Sequence, residues 1–210
     1  MGSVTGTSTD GAWVRSRERV EEEPGNGRLA RLLGEARWIV GALLGLALLA
    51  MLITYSKADP SFTHAVSGTS VSNLGGRVGA WVADIALLLF GLSAYLLVFG
   101  LAVWVARGFR VLHRKASGAD PLADELPGWA HALGYVLLLT GALGLESLRL
   151  ANLGAALPGA PGGAIGGLIA QATQVAVGFT GATVVFLALI AIGLSLFLDF
   201  SWLAVAERLG

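Results

Sequence analysis

The sequence predicts an all-α membrane protein, with four transmembrane helices and a short interfacial or re-entrant helix ahead of the last span. Three observations predict it. Uncharged runs of 19 residues between Arg37 and Lys57 and of 22 between Asp84 and Arg107 are long enough to cross a bilayer. A helix rises about 1.5 Å per residue and the hydrocarbon core is about 30 Å thick, so roughly 20 apolar residues make one crossing. The chain is 55% hydrophobic and 13% charged, with mean hydropathy +0.72, whereas soluble domains keep about a quarter of their residues charged. Third, no charge occurs from Leu150 to Leu198, but glycine and proline interrupt that run near its start.

The elements follow in order. Residues 1–30 hold Gly, Ser and Thr, mixed charges and Pro24-Gly25-Asn26-Gly27; they bury too little apolar surface to offset the entropy of ordering and read as a disordered cytoplasmic tail. No short apolar stretch with a small-residue cleavage site precedes the first span, which reads as a retained anchor. The membrane domain then occupies 31–210, with spans at about 37–55, 78–105 and 129–148. The stretch Gly154-Ala155-Ala156-Leu157-Pro158-Gly159-Ala160-Pro161-Gly162-Gly163 is too rich in helix breakers to continue a span. The fourth span therefore falls at about 180–198 and the extra helix at about 163–177. Irregular backbone at membrane depth is tolerated only against protein or water.

Charge asymmetry sets the expected orientation. Arg28, Arg31, Arg37, Arg107, Arg110, Arg114 and Lys115 flank one side, seven cations against Lys57, Arg77 and Arg149 on the other. Lys and Arg in short loops stay cytoplasmic, which puts both termini and the middle loop there and makes Arg37, Arg107, Arg110, Arg114 and Lys115 topology determinants. Trp38, Trp81, Trp104, Trp129 and Trp202 lie near predicted span ends, at the headgroup level that indoles prefer.

Several chemistries are excluded. With no cysteine there are no disulfides, thiolate metal sites or thiol catalysis. Fourteen cations balance fourteen anions, so no bulk field favours nucleic acid. His64, His113 and His131 sit in separate segments without metal-ligand spacing, and no P-loop, Gly-x-Ser-x-Gly or His-Glu-x-x-His occurs. Asp84, His131, Glu146, Arg149 and Asp199 are ionisable groups within a turn or two of predicted span ends. Buried charge is costly there unless paired, and Glu146 and Arg149, three apart on one helical face, are placed to neutralise each other. No charge falls at mid-bilayer, as a proton or ion path would require. Gly41 and Gly45, and Gly159, Gly163 and Gly167, repeat at four residues; this spacing serves helix packing within the unit or between copies.

Four motifs add a resemblance. They are Tyr55-Ser56-Lys57-Ala58-Asp59-Pro60-Ser61-Phe62; Asn73-Leu74-Gly75-Gly76-Arg77-Val78-Gly79-Ala80-Trp81-Val82-Ala83-Asp84 with Leu89-Phe90-Gly91-Leu92-Ser93-Ala94-Tyr95-Leu96; Gly178-Phe179-Thr180-Gly181-Ala182-Thr183; and Ser201-Trp202-Leu203-Ala204-Val205. In order and spacing they resemble the membrane domain of the FtsK family of bacterial DNA translocases, over roughly Arg31 to Gly210. Where members often carry proline after the Ser-Ala-Tyr-Leu-Leu run this chain has Val98, and Asp199-Phe200 stands where small or polar residues are common. Within these motifs Gly75, Gly79, Ser93, Tyr95, Gly178 and Gly181 are candidate structural or helix-contact positions, beside Asp84, Glu146 and Arg149, singled out above as ionisable groups near span ends.

The resemblance implies a division of labour. A domain of this kind anchors the protein in the cytoplasmic membrane at the division septum and contacts other cell-division membrane proteins. ATP, magnesium and DNA then belong to a motor domain reached through a linker, neither of which is in this sequence. No cofactor and no catalytic residue is expected within these 210 residues, and the partners expected are the bilayer, division proteins and further copies of the chain. Two rival readings are a small channel or transporter, which fits a re-entrant helix, and a scaffold without a motor. Against the first stand the missing mid-membrane charge and the lack of a visible internal repeat of a half-unit.

Overall fold

The computed structural model describes residues 24–63, 71–116, 126–150, 157–199 and 207. The tail over 1–23, Trp13, His64, Gly154 to Ala156, the Ser201–Val205 motif with Trp202 and the side chain of Lys115 lie outside the described residues. The chain divides into two compact units, 1–37 and 38–210. All regular structure among the described residues is helical: α1 (Pro24–Ile53), α2 (Gly76–Phe90), a 3₁₀ turn (Gly91–Ser93), α3 (Ala94–Ala116), α4 (Gly128–Arg149) and α5 (Gly163–Leu198). Helix α1 starts at Pro24, so residues 24–30, read above as tail, are helical; proline's fixed φ and missing N–H suit a first helical position. Four segments are long and apolar enough to cross a bilayer: Leu32–Ile53, Gly76–Arg114, Gly128–Arg149 and Gly163–Leu198.

Two of these four are bent. The stretch expected as one span over 78–105 is two helices joined at Gly91, whose φ of 56° and ψ of −137° no helix contains. A continuous helix would hold Gly75 about 30 Å from Tyr95. Met51 nevertheless lies against Gly75, while its neighbour Leu52 accepts the Tyr95 hydroxyl at 3.2 Å. The chain therefore turns sharply at Gly91. With 15 residues α2 is too short to cross, and the 23 of α3 suffice.

Helix α5 doubles back in the same way. Gly166 abuts Leu143 and Ser147 on α4, whereas Phe186, twenty residues later, covers Gly141 and Gly144 on the same part of α4. A straight helix would separate Gly166 from Phe186 by about 30 Å. The reversal is at Gly178, with φ 73° and ψ 173°, and Ala170, Ala182 and Phe186 share one buried cluster across it. Residues 163–177 and 179–198 are thus a short helix and a crossing helix joined at a glycine.

The two halves of the domain consequently repeat, which corrects the expectation that no half-unit recurs. Each is a crossing helix, a connection, a 15-residue helix, a glycine bend and a second crossing helix. The sequence bears this out once aligned by the bends: Gly75-Gly76-Arg77-Val78-Gly79 precedes Gly91 as Gly162-Gly163-Ala164-Ile165-Gly166 precedes Gly178, with 16 residues from first glycine to bend in both. Backbone geometry agrees, with φ −84° and −88° at Gly75 and Gly162, then +61° and +65° at Gly76 and Gly163. The capping bonds match too: Gly76 to Asn73 and Gly163 to Ala160 are both 2.8 Å, Gly79 to Gly75 and Gly166 to Gly162 both 3.0 Å.

Packing is close because glycines line the helix contacts. Gly41 admits the Trp104 and Val105 side chains between α1 and α3, whereas Gly134 and Gly193 let the backbones of α4 and α5 approach each other at Phe197 and Leu138. Without a hydrophobic force between helices in lipid, such contact must come from dispersion at short range.

Candidate functional site

At the end of the domain that carries the α1–α2 connection, buried carboxylates organise the backbone. Asp84 on α2 is fully buried. It accepts the Thr63 amide at 2.7 Å, the Thr63 hydroxyl at 2.8 Å and the Tyr55 hydroxyl at 3.0 Å. Burial, and then the bond to Asp84, push the Tyr55 phenol well above its ordinary value, so it remains a donor. Asp59, also buried, accepts the amides of Ser72 and Asn73 at 2.8 and 2.9 Å. Asn73 in turn donates to the Met51 carbonyl at 2.8 Å and accepts the Gly75 amide at 2.9 Å, a short Asx-type loop that starts α2. Its side-chain oxygen lies where a Cβ on Gly79 would be. Two motifs distant in sequence, 55–62 and 73–84, are therefore one clasp.

A second node joins the two halves. The bend at Gly91 lies against the glycine start of α5: the Pro161 carbonyl occupies the Cβ position of Gly91, and the Leu89 carbonyl that of Gly163. The Leu92 amide donates to the Pro161 carbonyl at 2.7 Å. Ser93, fully buried, donates its amide and hydroxyl to the Glu146 carboxylate at 3.0 and 2.7 Å. That carboxylate sits at the amino end of α3, where the helix dipole favours an anion. Leu157 closes the joint by packing with Leu52, Ala83, Leu87 and Ala94. Irregular backbone is accommodated here because each break supplies the other's partners.

The opposite end is built differently. Arg107 donates to the Phe197 carbonyl and its guanidinium carbon stands 5.4 Å from the Phe197 ring centre. The Tyr135 hydroxyl reaches the Leu96 carbonyl at 3.1 Å, and the Trp38 and Trp104 rings lie 4.4 Å apart. Between them a cavity of about 610 Å³ is lined by Leu97, Gly100, Trp104, Arg107, His131 and Tyr135.

The candidate residues of the sequence distribute over these nodes. Asp84, Gly75 and Gly79 belong to the clasp; Ser93 and Glu146 belong to the joint; Tyr95 ties α3 to α1. Glu146 and Arg149, expected to neutralise each other, each take a partner on another helix. Arg149 donates to the Thr183 hydroxyl at 3.2 and 3.3 Å and covers the Phe179 ring at 4.5 Å. Gly178 is the bend of α5, and Gly181 lies beside Val177 just past it. Asp199 ends α5 in the left-handed conformation, with φ 58°. Arg37 lies in α1, and Arg110 and Arg114 are exposed on α3. Sequence reasoning did not single out Asp59, Thr63 or Asn73; the only signal was their position inside or next to the two loop motifs. Among the described residues no three His, Asp or Glu gather as metal ligands.

Comparison with known proteins agrees with this architecture. Residues 30–210 match the family described as the 4TM region of DNA translocase FtsK/SpoIIIE. The chain belongs to this family. Among FtsK relatives, "DNA translocase FtsK 2" of Ralstonia nicotianae is 45% identical over 186 residues, covering 87% of this chain and 23% of that protein. "DNA translocase FtsK" of Vibrio parahaemolyticus is 33% identical over 196 residues, 91% of this chain and 18% of the relative. The protein of the same name from Pseudomonas putida is 33% identical over 183 residues, 86% and 21%. The chain thus spans about a fifth of the length of the FtsK proteins it matches. No solved structure matches it. Family and helices together make this a bacterial inner-membrane protein whose surroundings are the lipid bilayer.

Proposed function

We propose that this domain anchors a DNA translocase in the membrane at the division septum and presents contact surfaces to other division proteins. The observation that carries the reading is the family match over 30–210, confined to the four-span region and to about a fifth of each relative. ATP hydrolysis with its magnesium, and DNA binding, lie in the part of the relatives that this chain does not span, and the domain takes no cofactor of its own. Both termini and the α3–α4 loop are cytoplasmic, following the cations at Arg37, Arg107, Arg110 and Arg114. Tethering raises the motor's local concentration where the septum closes and does so without a new contact to DNA.

The clasp and the joint support a scaffold. Transport through broken helices needs an accessible polar site at the break, whereas the Gly91 break is filled by Pro161 and Gly163 with Ser93 fully buried, and the open Gly178 break is flanked by the apolar Val175, Val177 and Phe179. The test is a fluorescent fusion to this chain in dividing cells that retain their own translocase. A midcell band is expected. Uniform membrane fluorescence at every stage of division would remove the septal assignment.

A further inference from the structure

The repeat leaves one joint made and one joint open. Within the chain, the bend of the first half (Gly91) receives the glycine start of the second half's short helix (Gly162-Gly163), and each glycine is pressed on the other's backbone. Their counterparts are the bend of the second half, Gly178, and the start of the first half's short helix, Gly75-Gly76. Among the described residues, nothing lies within 4 Å of a Cβ built on Gly76 or on Gly178. Both retain the positive φ of the paired copies, 61° and 73°. The residues around them are apolar and exposed: Leu74, which corresponds to the buried Pro161 region, is 75% exposed, Val78 71%, Val175 84% and Val177 50%. Two halves closed on each other by a true two-fold would have filled both joints.

We propose that the open pair is an interface between copies of this chain, in which the Val175–Thr180 tip of one protomer seats on the Leu74-Gly75-Gly76 start of α2 in the next. The occupant is a second copy because the complementary surface already exists in this fold and is seen assembled between Gly91 and Gly163. The contact is heterologous, so it propagates head to tail and closes into a ring or continues as a row, as its rotation dictates. By equivalence with Leu92 and Pro161, the backbone of Phe179 approaches the carbonyl of Leu74 of the neighbouring copy. The inference stands independently of the septal role.

These 210 residues hold no cysteine, which makes the test direct. The 210-residue chain carrying both Leu74→Cys and Phe179→Cys is oxidised in native membranes. Dimers and a ladder of higher species are expected from the double variant. The two single variants co-expressed should give dimers only, and each alone should stay monomeric. Dimers from either single variant alone would indicate a two-fold contact and overturn the proposal; so would a double variant that yields no more cross-linking than Leu168→Cys paired with Val40→Cys. A third variant adding Thr180→Trp to the double should abolish the ladder while leaving the detergent-solubilised protein's melting temperature unchanged. An unaffected ladder would also overturn the proposal. Lipid, rather than protein, covering the tip would show as the same monomer pattern in every variant.

Discussion

The two ends of this domain use different means to hold helices together. At the α1–α2 end, Asp59, Asp84 and Glu146 are each saturated by backbone amides and hydroxyls within 3.0 Å. At the α3–α4 end, Arg107, Tyr135 and Phe197 meet through ring contacts and single carbonyl bonds around a cavity of about 610 Å³. The difference follows from what each end must satisfy. The first contains two interruptions of helical backbone, and every freed amide there needs an acceptor in a medium without water. The second contains helix ends but no break inside a helix, and the freed Phe197 carbonyl near the end of α5 is taken by Arg107, so loose aromatic packing is sufficient for the rest. One end is specified by hydrogen-bond geometry and the other by volume.

That contrast can be broken experimentally. The largest effect is expected from Gly91→Val, which drives a branched side chain into the Pro161 carbonyl at a φ of 56°. A loss of about 3 kcal/mol or more, enough to prevent accumulation of folded protein, should appear as a collapsed melting transition in detergent. Asp84→Ala follows, because it orphans the Thr63 amide and the Tyr55 hydroxyl together; about 2–3 kcal/mol and faster proteolysis within 54–75 are expected. Survival of both variants at the native melting temperature would show that the clasp does not determine stability.

Smaller changes sharpen the comparison. Tyr55→Phe should cost about 1 kcal/mol, one hydrogen bond to a carboxylate. Because the folded phenol titrates above its unfolded value near 10, its contribution is complete below about pH 10. It is lost as pH rises beyond that toward the folded value. Melting temperature of the parent should therefore fall at high pH more steeply than that of Tyr55→Phe; parallel curves would remove the Tyr55–Asp84 coupling. At the other end, Ala132→Leu lines the open cavity and should change stability by less than about 0.5 kcal/mol. A loss comparable to that of Asp84→Ala would mean that this end is as tightly specified as the first.

Much of this architecture was legible before any coordinates. Uncharged runs marked the apolar segments that lie in the bilayer because desolvating charge in lipid is costly whatever the fold. The breaker-rich run around Pro158 and Pro161 marked where the last apolar stretch could not continue. Asp84 was visible as an ionisable residue near a span end, but not its partners, since Thr63 and Tyr55 reach it across 21 and 29 residues. The Gly91 bend was hidden inside an apolar run that reads as one helix, because a single glycine is compatible with a helix and only Pro161 and Gly163 opposite make the bend favourable.

Composition and charge spacing by themselves determined that this chain lives in a bilayer and which segments are apolar enough to cross it, because transfer free energies are summed locally along the chain. Only the tertiary structure decided that the second apolar segment breaks at Gly91 into a short helix and a crossing helix, that Glu146 serves Ser93 rather than Arg149, and that the halves repeat. Those outcomes rest on which backbone groups find partners across 53 or more residues, and pairing at that range has no signature in local hydropathy.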